Sequence, residues 1–272
     1  MEPVMPDVYS TITTVDPKTI EQLANVIELR AAEPRQAQMR EQFVNGIPLA
    51  NGAKVIEIGC GTGAVCRTIA SRVEVAEVVG VDPSTGFLDK ARKLAPDTAK
   101  LQFVEGDGRK VSYPDSSFDA AVFYTTLCHV PSPDLALAEA YRLVKPGGWL
   151  AALDGDYSTT SVATGSIDPL QSCAAAAMET LVNDPWLARR LTAMVYRAGF
   201  VEPRAVSYGY VSVDDPGYLL TIVDRGSDAL VAKGQIGTDL AMALKAEARN
   251  RAKAGTFFGH ISYFSLVTRK PE

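Results

Sequence analysis

The segment Val55-Ile56-Glu57-Ile58-Gly59-Cys60-Gly61-Thr62-Gly63 restricts this chain more than any other. An apolar, β-branched run leads into three alternating glycines, and Ala64–Ser71 continues as a helix pattern. Glycine serves two ends in such a loop. It takes backbone angles closed to other residues, and without a Cβ it lets a ligand approach the main chain. The loop also presents free N–H groups at a helix N-terminus. Alone, it does not choose the ligand. Gly59-x-Gly61-x-x-Ala64 satisfies a loose dinucleotide fingerprint as well, and a tight strand–helix turn without any ligand reads the same way.

The hundred or so residues that follow repeat the strand–helix rhythm. Lys54–Ile58, Val78–Val81, Leu101–Val104, Ala120–Tyr124 and Trp149–Leu153 read as buried strands. Helices are expected at Ala64–Ser71, from about Ser84 to Leu94, and over Asp134–Leu143, the last opened by Ser132-Pro133 as cap and first turn. Pro146-Gly147-Gly148 turns the chain into the fifth strand. Such alternation predicts an α/β fold: a Rossmann-like, mostly parallel seven-stranded sheet with helices on both faces. Phe257–Thr268 is expected as an antiparallel C-terminal edge strand, and helical lid elements complete the fold.

Residues 17–32 and 34–45 carry helical spacing interrupted at Pro34, so 1–45 is expected as an N-terminal helical cap. The main domain then spans 46–272, with lid insertions near 157–180 and 214–253. Within it, the Ser/Thr/Gly-rich stretch 157–170 predicts a loop, and 171–182 and 185–198 predict helices. Gly199 suits a helix C′ position before a short strand at Phe200-Val201. Residues 214–253 read as mainly helical, with Pro216 near one start and a second helix from Thr238 to Lys253.

Composition excludes several classes. A net charge of −5, without any run of five basic residues, argues against a nucleic-acid partner. The four cysteines, Cys60, Cys66, Cys128 and Cys173, fit neither zinc-ligand spacing nor a disulfide framework, so no metal is expected and the thiols are read as reduced. Residues 1–10 include Glu2 and Asp7 and lack an apolar run, so no signal peptide is expected. No stretch is long and apolar enough to span a bilayer. The expectation is a cytoplasmic protein whose partner is a small molecule, with a homodimer as the candidate assembly.

Three further segments narrow the ligand. Asp82 ends the second strand, where a carboxylate can accept hydrogen bonds from both hydroxyls of a ribose; it also suits a helix cap before Pro83. Gly106-Asp107-Gly108 follows the third strand, where a carboxylate can meet an exocyclic amine and the glycines leave room for a flat base. An ordinary Asp-Gly turn is the plain alternative. Leu143-Val144-Lys145-Pro146-Gly147-Gly148-Trp149-Leu150 is a topological mark that dehydrogenases match poorly.

In this order and spacing, the four segments resemble the class I S-adenosylmethionine (SAM)-dependent methyltransferases, most closely the ubiquinone/menaquinone-biosynthesis-like small-molecule branch. Glu57 to Gly63 resembles that family's first motif, and Asp82-Pro83-Ser84 with Phe87-Leu88 and Ala91-Arg92 its second segment. Phe118-Asp119 leading into Ala120–His129 resembles the fourth strand and its loop. The resemblance implies a cofactor site of Glu57, Gly59, Cys60, Gly61, Thr62 and Gly63, with Asp82 and Pro83 at the ribose. It implies Phe87, Gly106, Asp107 and Gly108 around the adenine, and Tyr124 and Thr125 near the SAM amino group. The implied product is S-adenosylhomocysteine (SAH).

Sulfonium chemistry needs alignment above all, and a base only where the acceptor carries a proton. His129 is the candidate base, with a structural histidine as the alternative. Tyr9 lies in a segment positioned to close over the site, and Arg35 or Arg40 is the candidate partner of the SAM carboxylate. Tyr157, Trp186, Tyr218, Phe257, Phe258 and Tyr263 are candidates for an aromatic acceptor wall. The function expected is methyl transfer to an O, N or C nucleophile of a small hydrophobic metabolite such as a quinone, phenol or polyketide. The alternatives are a SAM-binding catalyst that does not methylate, of cyclase type, or a regulatory module. An NAD-dependent oxidoreductase is a third.

Overall fold

A computed structural model describes residues 7–214 and 216–272. The readings placed on residues 1–6, the signal-peptide expectation among them, and on Asp215 lie outside the described residues.

The chain opens with two helices, α1 (Pro17–Ala32) and α2 (Pro34–Asn45), bounded as the sequence predicts. Both boundaries have local causes. The Asp16 carboxylate accepts from Thr19 N at 3.0 Å, with Pro17 in the first turn, and the Glu33 carboxylate accepts from Gln36 N at 2.7 Å, with Pro34 following. Glu33 is extended (φ −63, ψ 129), which breaks one helix and starts the next.

Five strands and three helices follow, alternating except that β4 comes directly after β3: β1 (Ala53–Ile58), α3 (Ala64–Ala70), β2 (Val75–Asp82), α4 (Thr85–Leu94), β3 (Leu101–Glu105), β4 (Phe118–Tyr124), α5 (Pro133–Leu143) and β5 (Val144–Ser161). The remainder is α6 (Leu170–Leu181), α7 (Leu191–Arg197), β6 (Val201–Ser212), α8 (Gly217–Ala232), α9 (Thr238–Lys253) and β7 (Gly259–Arg269). The seven strands lie in the order β3-β2-β1-β4-β5-β7-β6. Strands β1 to β5 pair in parallel, and β7 runs antiparallel to both β5 and β6. Val55, Ile56 and Ile58 of β1 and Ala120–Phe123 of β4 are buried, as central strands covered on both faces must be. The expected antiparallel C-terminal strand stands at that margin of the sheet, slotted between β5 and β6, so β6 takes the outermost place.

Three local expectations give way. Residues 157–161 are strand, not loop: Thr159 Oγ1 accepts from Ser262 N at 2.9 Å, so a residue that reads as loop composition instead ties β5 to β7. Ser132 precedes α5 with φ 60 and makes no side-chain cap bond; Pro133 alone sets that start. The strand after Gly199 runs for 12 residues, and the stretch before it is a short 3₁₀ turn at Leu187–Arg190 followed by α7.

Order reverses between β1 and β4, and a crevice opens there at the carboxyl ends of the strands, where open α/β sheets bind ligands. Helices α1, α6 and α8 and the segment from Asp7 stand over it. Ile12, Leu23 and Ala24 form a small core of their own with Phe87 of α4, which fastens the N-terminal segment to the main sheet. No helix among the described residues is long and apolar enough to cross a membrane.

Candidate cofactor and acceptor site

The crevice encloses a cavity of about 500 Å³. Its floor is the glycine loop, with Gly59, Gly61 and Gly63 at φ +75, +52 and +77. A Cβ at Gly59 would also overlap the Thr126 side chain, so this position needs glycine for both angle and space. The loop is held from β2: the Asp82 carboxylate accepts from Gly61 N at 2.8 Å and from Ser84 N at 2.9 Å. The cap of α4 is Ser84, whose hydroxyl accepts from Phe87 N at 3.3 Å, so Asp82 is not the helix N-cap; its carboxylate lines the cavity.

Of the expected residues, Tyr9, Glu57, Gly59, Cys60, Gly61, Asp82, Pro83, Phe87, Gly106, Asp107, Gly108, Tyr124, Thr125 and His129 all line this one cavity. Thr62 and Gly63 do not. Thr62 is fully buried, and the open side of Gly63 faces the Phe103 ring, because the chain has already turned into α3. The Cys60 and Cys66 thiols both face Gly80, away from the cavity, so Cys60 offers it only main chain. Burial pushes the Cys60 thiol up to about 11.

Two buried carboxyls carry unusual protons. Burial raises Glu57 to about 8, where its neighbour is the Cys66 thiol at 2.8 Å, and raises Asp82 to about 6. Both folded values exceed the unfolded ones of about 4, so folding takes up protons. The stability of the ligand-free chain should therefore fall as pH rises from about 4 to about 8, and level off above. Thermal melts at about pH 6 and about pH 8 check the sign. Glu57→Gln, which mimics the protonated carboxyl, should flatten most of that slope; an unaltered slope would exclude Glu57 as its source.

Asp107 lies at the rim, half exposed, and Arg109 grips both its oxygens, Nη2 at 2.6 Å and Nε at 2.9 Å. That guanidinium holds the Asp107 carboxyl below its usual range. Arg109 was legible two residues downstream of Asp107 and carries no sequence expectation.

The two expected arginines already have partners. Arg35 points to Asp214 at 3.8 Å on the outside, and Arg40 is committed to Thr68 Oγ1 and the Ala31 carbonyl, both at 2.9 Å. Arg40 nevertheless lines the cavity, and Arg30, which carried no expectation, lines it too. The Arg30 Nη2 donates to Thr125 Oγ1 at 2.7 Å, and its guanidinium lies 6.0 Å from the Tyr218 ring centre. It has no carboxylate partner among the described residues. Thr125 itself sits at φ +51, rare for a β-branched residue, held there by Arg30 and by its N–H on the Leu153 carbonyl at 2.7 Å.

Above the loop, Tyr157 and Tyr218 line the cavity with Met178, Leu181 and Ile222. The rest of the expected aromatic wall lies elsewhere. Trp186 is half exposed beneath Arg189, Phe257 is core, and Tyr263 is buried behind Tyr157. Phe258 is not in the cavity wall either. The Tyr124 hydroxyl is buried without a partner among the described residues, and burial pushes it up to about 12. His129 lines the cavity and is bound through Nδ1 to Asp7 Oδ2 at 2.6 Å. Tyr9 packs beside it with ring centres 4.7 Å apart.

Residues 56–152 match the methyltransferase domain family. Among curated relatives, the sterol 24-C-methyltransferase erg-4 of Neurospora crassa is 34% identical over 105 residues, covering 38% of this chain and 27% of that protein. A demethylmenaquinone methyltransferase of Staphylococcus saprophyticus is 29% identical over 124 residues, 45% of this chain and 53% of its own. The chain thus spans about a quarter to a half of the length of these two curated relatives. Among solved structures, the [4+2]-cyclase SpnF superposes with a TM-score of 0.59 at 19% identity, covering 99% of this chain and 98% of SpnF. Sheet order, glycine loop and these likenesses agree on one fold, that of the class I SAM-dependent methyltransferases.

Proposed function

We propose that this chain binds SAM along the carboxyl ends of β1 to β4 and transfers its methyl group to an oxygen, nitrogen or carbon nucleophile of a small hydrophobic metabolite, releasing SAH. One observation carries the reading: a loop of left-handed glycines, clamped by a buried Asp82, forms the floor of a cavity whose far walls are apolar and aromatic. The residues fit the cofactor. Two Asp82 lone pairs remain for a ribose diol, Phe87 offers a flat apolar surface, and Arg30 offers an uncommitted cation beside Thr125.

Bound there, SAM supplies a methyl group that its sulfonium already activates. The protein has to orient, desolvate and deprotonate. The N–H groups of Gly59, Cys60 and Gly63 are bonded to main-chain carbonyls and that of Gly61 to Asp82, so the loop does not present the free N–H groups its sequence suggests; its Cβ-free surface and the Asp82 carboxylate fix the nucleoside, with Asp107 and the Gly108 N–H at the adenine edge. Tyr124 and Thr125 meet the amino group, and Arg30, in place of Arg35 or Arg40, meets the carboxylate. The roof of α1, α6 and α8 keeps water out, and His129 takes a proton from the acceptor through Nε2. Likeness to a sterol methyltransferase supports a hydrophobic acceptor, and likeness to a demethylmenaquinone methyltransferase supports a quinone.

Replacing Arg30→Met should weaken SAM by about 10- to 100-fold, the worth of a charge-assisted hydrogen bond, yet leave 5′-methylthioadenosine, which has no carboxylate, unaffected. Equal losses for both ligands in calorimetry would remove Arg30 from the carboxylate. The activity itself is tested by incubating the protein and methyl-labelled SAM with small-molecule extract. Methyl transfer predicts SAH release in step with a labelled product. A second reading, a SAM-binding catalyst of cyclase type, is favoured by the match to SpnF across nearly the whole of both chains, roof included. It predicts a transformed metabolite with no SAH.

A further inference from the structure

Asp7 belongs to no strand or helix, yet its side chain is only 1% exposed. Three donors converge on it. Oδ1 accepts from Tyr9 N at 2.9 Å; Oδ2 accepts from Asn183 N at 3.0 Å and meets His129 Nδ1 at 2.6 Å. A buried carboxylate stays ionised only when donors surround it in this way. The nearby buried acid, Asp154, is committed to Cys128 N and Gly155 N and does not compete for the ring.

An ionised carboxylate only accepts, so the proton of a neutral His129 must sit on Nδ1. The lone pair then lies on Nε2, the atom left to face the cavity. Tyr9 packs against the ring and holds its plane. An asparagine could not replace Asp7. Either orientation of its amide sets an NH₂ against the Tyr9 N–H, or against His129 and the Asn183 N–H.

We propose that Asp7 is a positioning residue that sets His129 in the tautomer able to receive the acceptor's proton, so that the base is complete only when the N-terminal segment is closed. The segment bridges the β4–α5 loop, through His129, and the chain just after α6, through Asn183. As an acceptor O–H or N–H attacks the methyl group, its proton passes to Nε2. The imidazolium that forms faces the Asp7 carboxylate, and the proton leaves to solvent after product release. This rests on His129 as the proton acceptor of the proposed reaction.

The sequence has two histidines, so ¹⁵N-histidine labelling of the full chain gives two rings, and His260→Gln assigns them. Spectra of the neutral rings, with and without SAH, should show His129 protonated on Nδ1 and unprotonated on Nε2. A neutral His129 carrying its proton on Nε2 overturns the proposal. With an acceptor in hand, Asp7→Asn should lower kcat about 100-fold at unchanged SAM affinity, and Asp7→Glu should recover part of it. An unchanged kcat also overturns the proposal. SAM calorimetry run in parallel separates the two claims: absent binding would defeat the cofactor reading, while normal binding with the wrong tautomer would defeat only the role of Asp7.

Discussion

Asp82→Ala should weaken SAM by about 100-fold or more. The carboxylate closes β2 and is 6% exposed. It spends one lone pair on Gly61 N and another on Ser84 N, which leaves two for the ribose hydroxyls. Each hydrogen bond to a charged acceptor contributes about 1.5–3 kcal/mol, so losing two gives about 3 kcal/mol or more. The substitution also frees Gly61 N and with it the loop that forms the cavity floor. A pH signature accompanies the loss. Burial raises Asp82 to about 6; protonation turns one oxygen into a donor and leaves a weaker neutral acceptor for the ribose hydroxyls, so SAM affinity should decline as pH falls below about 6. The decline should vanish in the Ala variant. Calorimetry showing unchanged affinity would remove Asp82 from the site.

Gly226→Ala should destabilise the protein by about 2 kcal/mol or more, although alanine is the better helix former by about 1 kcal/mol. Gly226 lies where α8 crosses α6, and a Cβ there would overlap the Cys173 main-chain carbonyl. Backbone cannot swing aside as a side chain does, so the helices must part, at a cost of about 1–3 kcal/mol or more. Ser227, which bonds Val223 O at 2.8 Å and reaches Cys173 Sγ at 3.4 Å, would lose its register as well. Since α8 carries Tyr218, Ile222 and Arg225 into the roof, the acceptor side should loosen with it. Gly165→Ala is the control: that glycine has open space and an ordinary φ. Equal melting temperatures for the two variants would contradict the close crossing.

The sheet was legible because its signals are local. Apolar runs end in Gly59, Asp82 and Gly106, and proline marks the starts of α1, α2 and α5. Fourteen of the expected residues line one cavity, and most do so for the same reason: they sit at successive carboxyl ends, which one sheet aligns. What the sequence hid depends on long-range pairing. Thr159 spells loop until Ser262 is placed beside it. Nothing near Asp7 in the chain announces His129, which lies 122 residues away. Arg30 had a readable signal: it follows Ile27 at helical spacing, on the side of α1 that faces Gly61. The expectation fell on Arg35 and Arg40 because sequence does not show that Asp214 and Thr68 already claim them.

Titrating the purified chain with SAM in a calorimeter examines the central claim most directly. The account predicts saturable uptake of one SAM per chain, displaced by SAH and impaired by Asp82→Ala. No detectable heat or retention of either nucleoside by a folded protein would contradict it, leaving the sheet without the cofactor.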